Sequence, residues 1–303
     1  MSKNISKNQR KWTIGIVNFH SIVYLHFITK TLYSFNDPQD FKLIIIDNSN
    51  PHETGLENLL AQYKKYENIE VIYHTPKANF PSGQHGESLD IILEKTDTPF
   101  LMVQDPDFFW VRRNYLKILE DYFAAGYAAI GAPYRTDKKI TDGDRNFPTA
   151  FGCAIQTKYL AGVDFYPSED LQEIKDLGRD VGWKIREKLS KEKFLSFEQK
   201  QSQIYKSLGE FSYDVNPYSY YADGRRIAYH LFKGSRGNII PKNAKKKKGY
   251  DGTNLDGYDK EDIIDIGYIR KKYGSFFYNE AKYSETAIGT TVLKLRAPLK
   301  IQF

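Results

Sequence analysis

The chain has 303 residues, of which 41% are hydrophobic, and it carries a formal charge of +6. That apolar share is ordinary for a globular protein and supports a full-sized core. Cys153 is the single cysteine, which excludes an intrachain disulfide framework, and no apolar run approaches the about 18 residues needed to span a membrane. Because no secretory signal is recognisable either, we expect a soluble, cytoplasmic protein.

The first half of the chain alternates between strand and helix patterns. Short apolar runs predict buried strands, and the run Phe41–Ile46 is apolar on both faces, as in a parallel sheet. The alternation predicts an α/β fold with a doubly wound, mostly parallel sheet and helices on both faces. The predicted strands are 13–17, 41–46, 69–73 and 100–103, and the predicted helices are about 21–35, 56–63, 86–95 and 113–125.

The pattern weakens in the second half. We expect a strand at 151–155, a helix at 180–189 and a strand at 227–232. The predicted organisation is a basic tail at 1–11, a catalytic domain at 12–235 and an extension rich in Lys, Gly and Tyr at 236–303.

Acidic residues follow two of the predicted strands, at the edge where open parallel sheets bind ligands. Asp47 directly follows the strand that ends at Ile46, and Asp105-Pro106-Asp107 follows the strand 100–103 after one glutamine. Two carboxylates one residue apart on a proline-containing turn can reach the same cation, and Mg²⁺ or Mn²⁺ there would neutralise diphosphate oxygens. Asp47 alone is also explained by a turn or a helix cap.

Four segments in fixed order give the chain a family resemblance. They are Thr13–Phe19, Ile44–Ser49, Gly83–Gly86 and Leu101–Asp107. Together they resemble glycosyltransferase family 2 and its relatives with the GT-A fold, over roughly residues 12 to 235.

The resemblance implies roles for individual residues. Asp47 would contact the nucleotide base or ribose, Asp105 would lie near the ribose, and Asp107 would bind the metal. Gly86 would contact the nucleotide sugar, although the segment around it departs from the asparagine-rich form usual in the family. His230 would complete the metal site as a late histidine, whereas a single histidine on an apolar strand is otherwise a satisfied core residue.

An inverting transferase also needs a carboxylate base beside the acceptor hydroxyl. Relatives place an acidic residue at the start of a helix in the second half, and Asp180 fits that position best. Capping of the predicted helix at 180–189 explains the same residue without catalysis. The rival is the acidic pair Glu169-Asp170.

The leading hypothesis is therefore an inverting glycosyltransferase that uses Mn²⁺ or Mg²⁺ and a nucleotide-sugar donor, with a UDP-sugar favoured over a GDP-sugar. The acceptor would be a glycan or another hydroxyl compound. Two alternatives stay open: a nucleotidyltransferase of similar fold, and a non-catalytic protein that binds a nucleotide, a glycan or nucleic acid. The lysine run at 242–248 lacks the aromatics of an RNA-binding motif, so we predict no specific nucleic acid and allow peripheral contact with an anionic membrane.

Overall fold

The computed structural model describes residues 10–50, 52, 55–133, 146–201 and 218–230. The predictions for most of the basic tail, for the extension at 236–303 and for the lysine run at 242–248 lie outside the described residues. Within the described part, no helix is long and apolar enough to cross a membrane.

The strand and helix alternation predicted for the first half is confirmed. Each predicted strand is present, and each predicted helix lies between strands. The elements are β1 (Trp12–Asn18), α1 (Ile22–Phe35), β2 (Phe41–Asp47), α2 (Gly55–Tyr63), β3 (Ile69–Tyr73), α3 (Pro81–Glu94) and β4 (Phe100–Gln104).

The second half has more strands than its sequence pattern predicts. Several are too short, or too aromatic on both faces, for periodicity to reveal them. The elements are β5 (Phe108–Trp110), α4 (Tyr115–Ala124), β6 (Ala129–Pro133), β7 (Pro148–Gln156), α5 (Leu171–Asp176), α6 (Trp183–Leu189), β8 (Phe194–Ser196), β9 (Glu198–Gln201), β10 (Tyr218–Ala222) and β11 (Arg225–His230). The helix predicted at 180–189 is shorter than expected, because it begins only at Trp183.

Seven strands form the central sheet, in the order β3-β2-β1-β4-β7-β6-β8. All run parallel to one another except β7, which is antiparallel to both β4 and β6. Alternate residues of β2 enter two separate cores: Leu43 and Ile45 pack with α1, α2 and α4, while Ile44 and Ile46 pack with α3 and α6. The predicted fold class, an α/β fold with a doubly wound, mostly parallel sheet and helices on both faces, is confirmed.

A second sheet lies at the end of the central one. It is antiparallel, in the order β5-β11-β10-β9, and β5 begins directly after Asp107. Its inner side is aromatic, since Phe108, Trp110 and Tyr220 are at most 2% exposed. This sheet therefore joins the end of β4 to a strand that comes much later in the chain.

Candidate functional site

The turn after β4 holds Asp105 and Asp107 in place by backbone hydrogen bonds. The amide of Asp105 donates to the carbonyl of Phe151 on β7 over 3.0 Å, and the amide of Phe108 donates to the carbonyl of Asp105 over 3.0 Å. Because both ends of the turn are tied to strands, the two carboxylates are fixed relative to the sheet.

His230 reaches this turn through the second sheet. It is the last residue of β11, and its backbone pairs with Phe108 of β5, which directly follows Asp107. The imidazole lies among aromatic rings, with ring centroids 4.7 Å from Phe151 and 5.6 Å from Phe108. Residues 123 positions apart thus become neighbours through a single strand pairing.

The three side chains form one compact cluster, which we call the acidic centre: Asp105, Asp107 and His230. His230 Nε2 lies 3.2 Å from Asp107 Oδ1 and 3.7 Å from Asp105 Oδ2. One ligand atom from each residue lies within 4.8 Å of the other two. The side chains of Asp107 and His230 are 1% and 2% exposed, whereas that of Asp105 is 28% exposed, so the acidic centre opens on the Asp105 side.

The charges of the acidic centre act on one another. Burial alone would lower the pKa of His230, but the charge of Asp107, the hydrogen bonds to Asp105 and Asp107 and the charge of Asp105 raise it to about 9. The protonated imidazole therefore balances part of the two carboxylate charges. Two carboxylate oxygens and one imidazole nitrogen also suit Mn²⁺ or Mg²⁺, and a bound cation would take over this balancing role from the proton.

His85 is a neighbour of the acidic centre that sequence reasoning assigned no role. Its Nε2 lies 3.8 Å from Asp105 Oδ1, and its side chain is 28% exposed. The prediction that the helix here begins at Gly86 is wrong: α3 begins at Pro81, which places His85 within the helix. A helix start five residues earlier was signalled by Pro81 itself, since proline is favoured in the first helical turn.

Asp47 lies within a hydrogen-bond network rather than at the surface. It is 0% exposed, and its Oδ1 accepts from Asn18 Nδ2 over 2.8 Å and from the Ser49 amide over 3.2 Å. Its Oδ2 lies 3.1 Å from Nδ1 of His52, whose side chain is 42% exposed. Asp47 therefore ties the ends of β1 and β2 together and holds an exposed imidazole.

Strand register places Asp47 and the acidic centre at the same edge of the sheet. Asp47 pairs with Asn18 at the end of β1, and Gln104, which precedes Asp105, pairs with Ile16 of β1. One strand separates the two positions, so strand spacing puts them about 10 Å apart.

Helix α3 runs beside both positions. Asn48 Nδ2 donates to the carbonyl of Gln84 over 3.4 Å, and Ser88 Oγ donates to Asn48 Oδ1 over 3.0 Å. His85, adjacent to Gln84, faces Asp105. The loop after β2 and the acidic centre are therefore connected through one helix.

The predicted contact of Gly86 with the donor remains a prediction, and the structure gives this glycine a packing role. A Cβ at Gly86 would lie 2.7 Å from Pro167 Cδ, 3.0 Å from Tyr166 Cα and 3.2 Å from the carbonyl oxygen of Phe165. Only glycine lets α3 approach the backbone of this segment so closely.

Asp180 does not begin or cap a helix, so the position predicted for it is corrected. The residue that precedes α6 is Gly182, at a φ of 78° that favours glycine, and no side chain caps the helix. Asp180 lies in the preceding loop, and its Oδ1 accepts from the amide of Val181 over 2.9 Å. A Cβ at Gly182 would lie 3.8 Å from the Cβ of Ala150. Ala150 directly precedes Phe151, whose ring contacts the imidazole of His230. Ala150 lies two residues before Gly152, which pairs with Gln104 at the end of β4, so the loop lies near the carboxyl edge of β4.

One member of the rival acidic pair Glu169-Asp170 has a structural explanation. Asp170 caps α5, because its side chain accepts from the amide of Gln172 over 2.7 Å. Such a cap accounts for the residue type without catalysis.

No protein-family model matches the chain, and a search of curated proteins finds no match. Among solved structures, S. aureus TarS 1–349 in complex with UDP-GlcNAc is 13% identical, with 61% of this chain and 55% of that chain covered and a TM-score of 0.45. A mannosyltransferase, PcManGT from Pyrobaculum calidifontis, in complex with GDP-Man and Mn²⁺ is 9% identical, with 93% and 77% covered and a TM-score of 0.44. The galactosyltransferase LgtC with donor and acceptor sugar analogues is 16% identical, with 48% and 58% covered and a TM-score of 0.36.

The chain spans 35% of the length of one S. aureus TarS structure and 55% of TarS 1–349. At identities of 9% to 16% and TM-scores of 0.36 to 0.45, these likenesses carry no assignment of activity to this chain.

Proposed function

We propose that the protein is a divalent-metal-dependent glycosyltransferase that moves a sugar from a nucleoside-diphosphate donor to an acceptor hydroxyl. The observation that carries the proposal is the acidic centre itself, Asp105, Asp107 and His230, at the carboxyl edge of a doubly wound sheet. That edge is where open α/β sheets bind ligands, and the order of the motifs resembles glycosyltransferase family 2.

The residues of the acidic centre take different parts in this proposal. Asp107 and His230, the two buried members, would hold Mn²⁺ or Mg²⁺, and Asp105, being 28% exposed, would face the ribose and diphosphate of the donor. When bound, the cation neutralises the charge that develops on the departing nucleoside diphosphate.

The proposed reaction exchanges one bond at the anomeric carbon of the sugar for another. The bond from that carbon to the β-phosphate oxygen breaks, and a bond from it to the acceptor oxygen forms with inversion. Asp180 accepts the proton of the acceptor hydroxyl as general base. This role rests on the family resemblance and on the place of Asp180 in the loop before α6, near the carboxyl edge of β4.

The donor is proposed to be a UDP-sugar or, failing that, a GDP-sugar, and the acceptor a glycan or another hydroxyl compound. The predicted cytoplasmic location, the domain limits of 12–235 and peripheral contact with an anionic membrane stay predictions. The lysine run on which the membrane contact depends lies outside the described residues.

Thermal unfolding of the full chain tests the proposal. The ligands are UDP, GDP, UDP-GlcNAc and GDP-Man, each with Mn²⁺, with Mg²⁺ and with a chelator. A ligand that binds only the folded state at 100 times its Kd stabilises that state by about 2.7 kcal/mol, so we expect a metal-dependent rise in Tm with UDP or GDP. Asp107→Asn should abolish the rise, whereas Asp121→Asn, a change at an exposed carboxylate on α4, should leave it intact.

Release of nucleoside diphosphate from the donor that binds best then tests catalysis. Metal-dependent release that is lost in Asp107→Asn and in Asp180→Asn supports the transferase and its proposed base. Loss in Asp107→Asn alone would remove Asp180 from the reaction. If no nucleotide raises the Tm of folded protein, the proposed function is wrong.

A further inference from the structure

Exposed aromatic rings gather at the carboxyl edge of β1, β2 and β3. Among the described residues only three large hydrophobic side chains are strongly exposed, and two of them are Phe19, directly after β1, and Tyr73, the last residue of β3. Tyr73 is 48% exposed. Its ring lies 4.8 Å from that of His52, measured between centroids. Exposed aromatic rings thus lie at the edge where an open sheet binds its ligands.

Asp47 anchors this surface without being part of it. Its two oxygens are engaged by Asn18, by the amide of Ser49 and by His52, and it has no exposed surface. A ligand could contact Asp47 only by breaking one of these internal hydrogen bonds. His52, in contrast, is 42% exposed and stands between Asp47 and the solvent.

The contact with Asp47 determines what His52 presents to a ligand. A carboxylate only accepts hydrogen bonds, so the hydrogen of the neutral imidazole lies on Nδ1, 3.1 Å from Asp47 Oδ2. Nε2 is then an acceptor. Carboxylates commonly fix the orientation and the tautomer of functional histidines in this way.

We propose that His52, oriented by Asp47 and lying against Tyr73, recognises the base of the nucleotide through Nε2. The inference rests on the proposed function and proposes His52, rather than Asp47, for the contact with the base; the predicted contact of Asp47 with the base or ribose stays a prediction. An acceptor at Nε2 that faces the central ring position of the pairing edge favours uracil and guanine, which carry an N–H there. Cytosine and adenine present an acceptor at that position and can donate only from the neighbouring amino group. The Tyr73 ring supplies a stacking surface for any base.

The distance from His52 to the acidic centre suits one ligand that occupies both. Asp47, which holds His52, and Asp105 lie two strand spacings apart at the same edge, about 10 Å. Helix α3 contacts the loop after β2 through Gln84 and Asp105 through His85. A nucleoside diphosphate therefore places its base at His52 and its diphosphate at the acidic centre.

Calorimetric titration of the full chain with UDP, CDP, GDP and ADP in the presence of Mn²⁺ tests the inference. We expect wild-type protein to bind UDP about 30-fold more tightly than CDP, or GDP more tightly than ADP by a similar factor, because Nε2 would face an acceptor ring nitrogen in cytosine or adenine. His52→Asn keeps an amide donor near Asp47 and removes Nε2, so it should reduce that ratio to within about threefold. His52→Gln, whose amide oxygen reaches toward the position of Nε2, should restore part of the ratio.

Tyr73→Ala separates stacking from selection. This substitution should weaken the binding of all four nucleotides by about tenfold and leave the ratios between their affinities unchanged. The affinity for Mn²⁺ alone should not change in any of these variants, because His52 and Tyr73 do not touch the acidic centre.

The two levels of the proposal fail differently. If nucleotide binding depends on Asp107 but His52→Asn keeps the wild-type ratio of nucleotide affinities, His52 does not select the base. The proposed function then stands without the inference. A wild-type protein that binds all four nucleotides equally would overturn the inference in the same way. If no nucleotide binds to wild-type protein at all, the proposed function is overturned together with the inference.

Discussion

Two pairings of an aspartate with a histidine at one sheet edge, Asp107 with His230 and Asp47 with His52, differ in how they are built. In the acidic centre, His230 is 2% exposed and comes from a strand 123 residues after Asp107. In the second pair, His52 is 42% exposed and lies five residues after Asp47. The buried pair depends on the whole fold, whereas the exposed pair depends on one loop. Chemistry that needs fixed charges suits the first arrangement, and selection among ligands suits the second.

Removing each histidine in turn is the strongest way to break this comparison. His230→Ala leaves the buried carboxylate of Asp107 without the imidazolium that pairs with it, and breaking a buried charged pair costs about 3 to 5 kcal/mol. His52→Ala exposes Asp47 to water but leaves its bonds to Asn18 and Ser49, so its cost should stay below about 1 kcal/mol.

Urea unfolding in the presence of a chelator measures both costs. The matched variants place the same substitution in the two pairs, so the difference between them reports burial. Equal losses of unfolding free energy for His230→Ala and His52→Ala would show that the two pairs are energetically alike.

The acidic centre and the exposed pair of Asp47 with His52 are not equally predictable from the sequence. Asp105 and Asp107 follow a strand with a clear apolar run, so their position was predicted from local pattern. Their closeness to His230 was predicted only through family resemblance, because β5 is three aromatic residues long and has no periodicity of its own.

Asp47 and Asp180 show why roles are harder to predict than positions. Asp47 was correctly placed after a strand, but the hydrogen bonds that bury its oxygens depend on Asn18 and on the turn that follows. Asp180 was expected at a helix start, and the positive φ of Gly182 shifts that start by three residues. The hydrogen bonds of Asp47 and the later start of α6 both depend on backbone geometry that residue types alone do not specify.

Helix α3 links the two pairs, and Gly86→Ala tests its packing. The new Cβ would meet backbone atoms of Tyr166 and Phe165 at 3.0 and 3.2 Å, and overpacking of this kind costs about 2 kcal/mol. Thermal and urea unfolding should show this loss, with Ser82→Ala on the same helix as the control. A loss of nucleotide affinity in the folded variant without any loss of stability would instead show that Gly86 contacts the donor.

The next change concerns a carboxyl group on the same helix. Burial raises the pKa of Asp90 to about 6, and the hydrogen bond from the Phe165 amide opposes this rise. The charges of Asp164 and Glu94 also raise the pKa, whereas the charge of Lys184 lowers it. A carboxyl whose pKa is raised by folding binds its proton more tightly in the folded state. Its stabilising effect is therefore lost as the pH rises from about 4 to about 6.

Asp90→Asn should remove this loss while its amide oxygen still accepts from Phe165. Because Asp90 is partly exposed, solvent screening reduces the expected gain at pH 8 to about 1 kcal/mol. Unfolding free energies measured between pH 4.5 and pH 8 should converge at the acid end. A variant less stable than wild-type protein at pH 8 would show that the carboxylate is needed in its charged form.

The smallest expected effect sharpens the comparison of the two pairs. His85 lies 3.8 Å from Asp105 on the exposed side of the acidic centre, so it orients that carboxylate only weakly. His85→Asn should weaken Mn²⁺ binding by about threefold and leave the UDP-to-CDP ratio unchanged. His52→Asn should do the reverse, because we propose that its imidazole contacts the base and not the cation. If His85→Asn changes the base ratio, or His52→Asn the Mn²⁺ affinity, the two pairs act as one site and the division between fixed charge and selection does not hold.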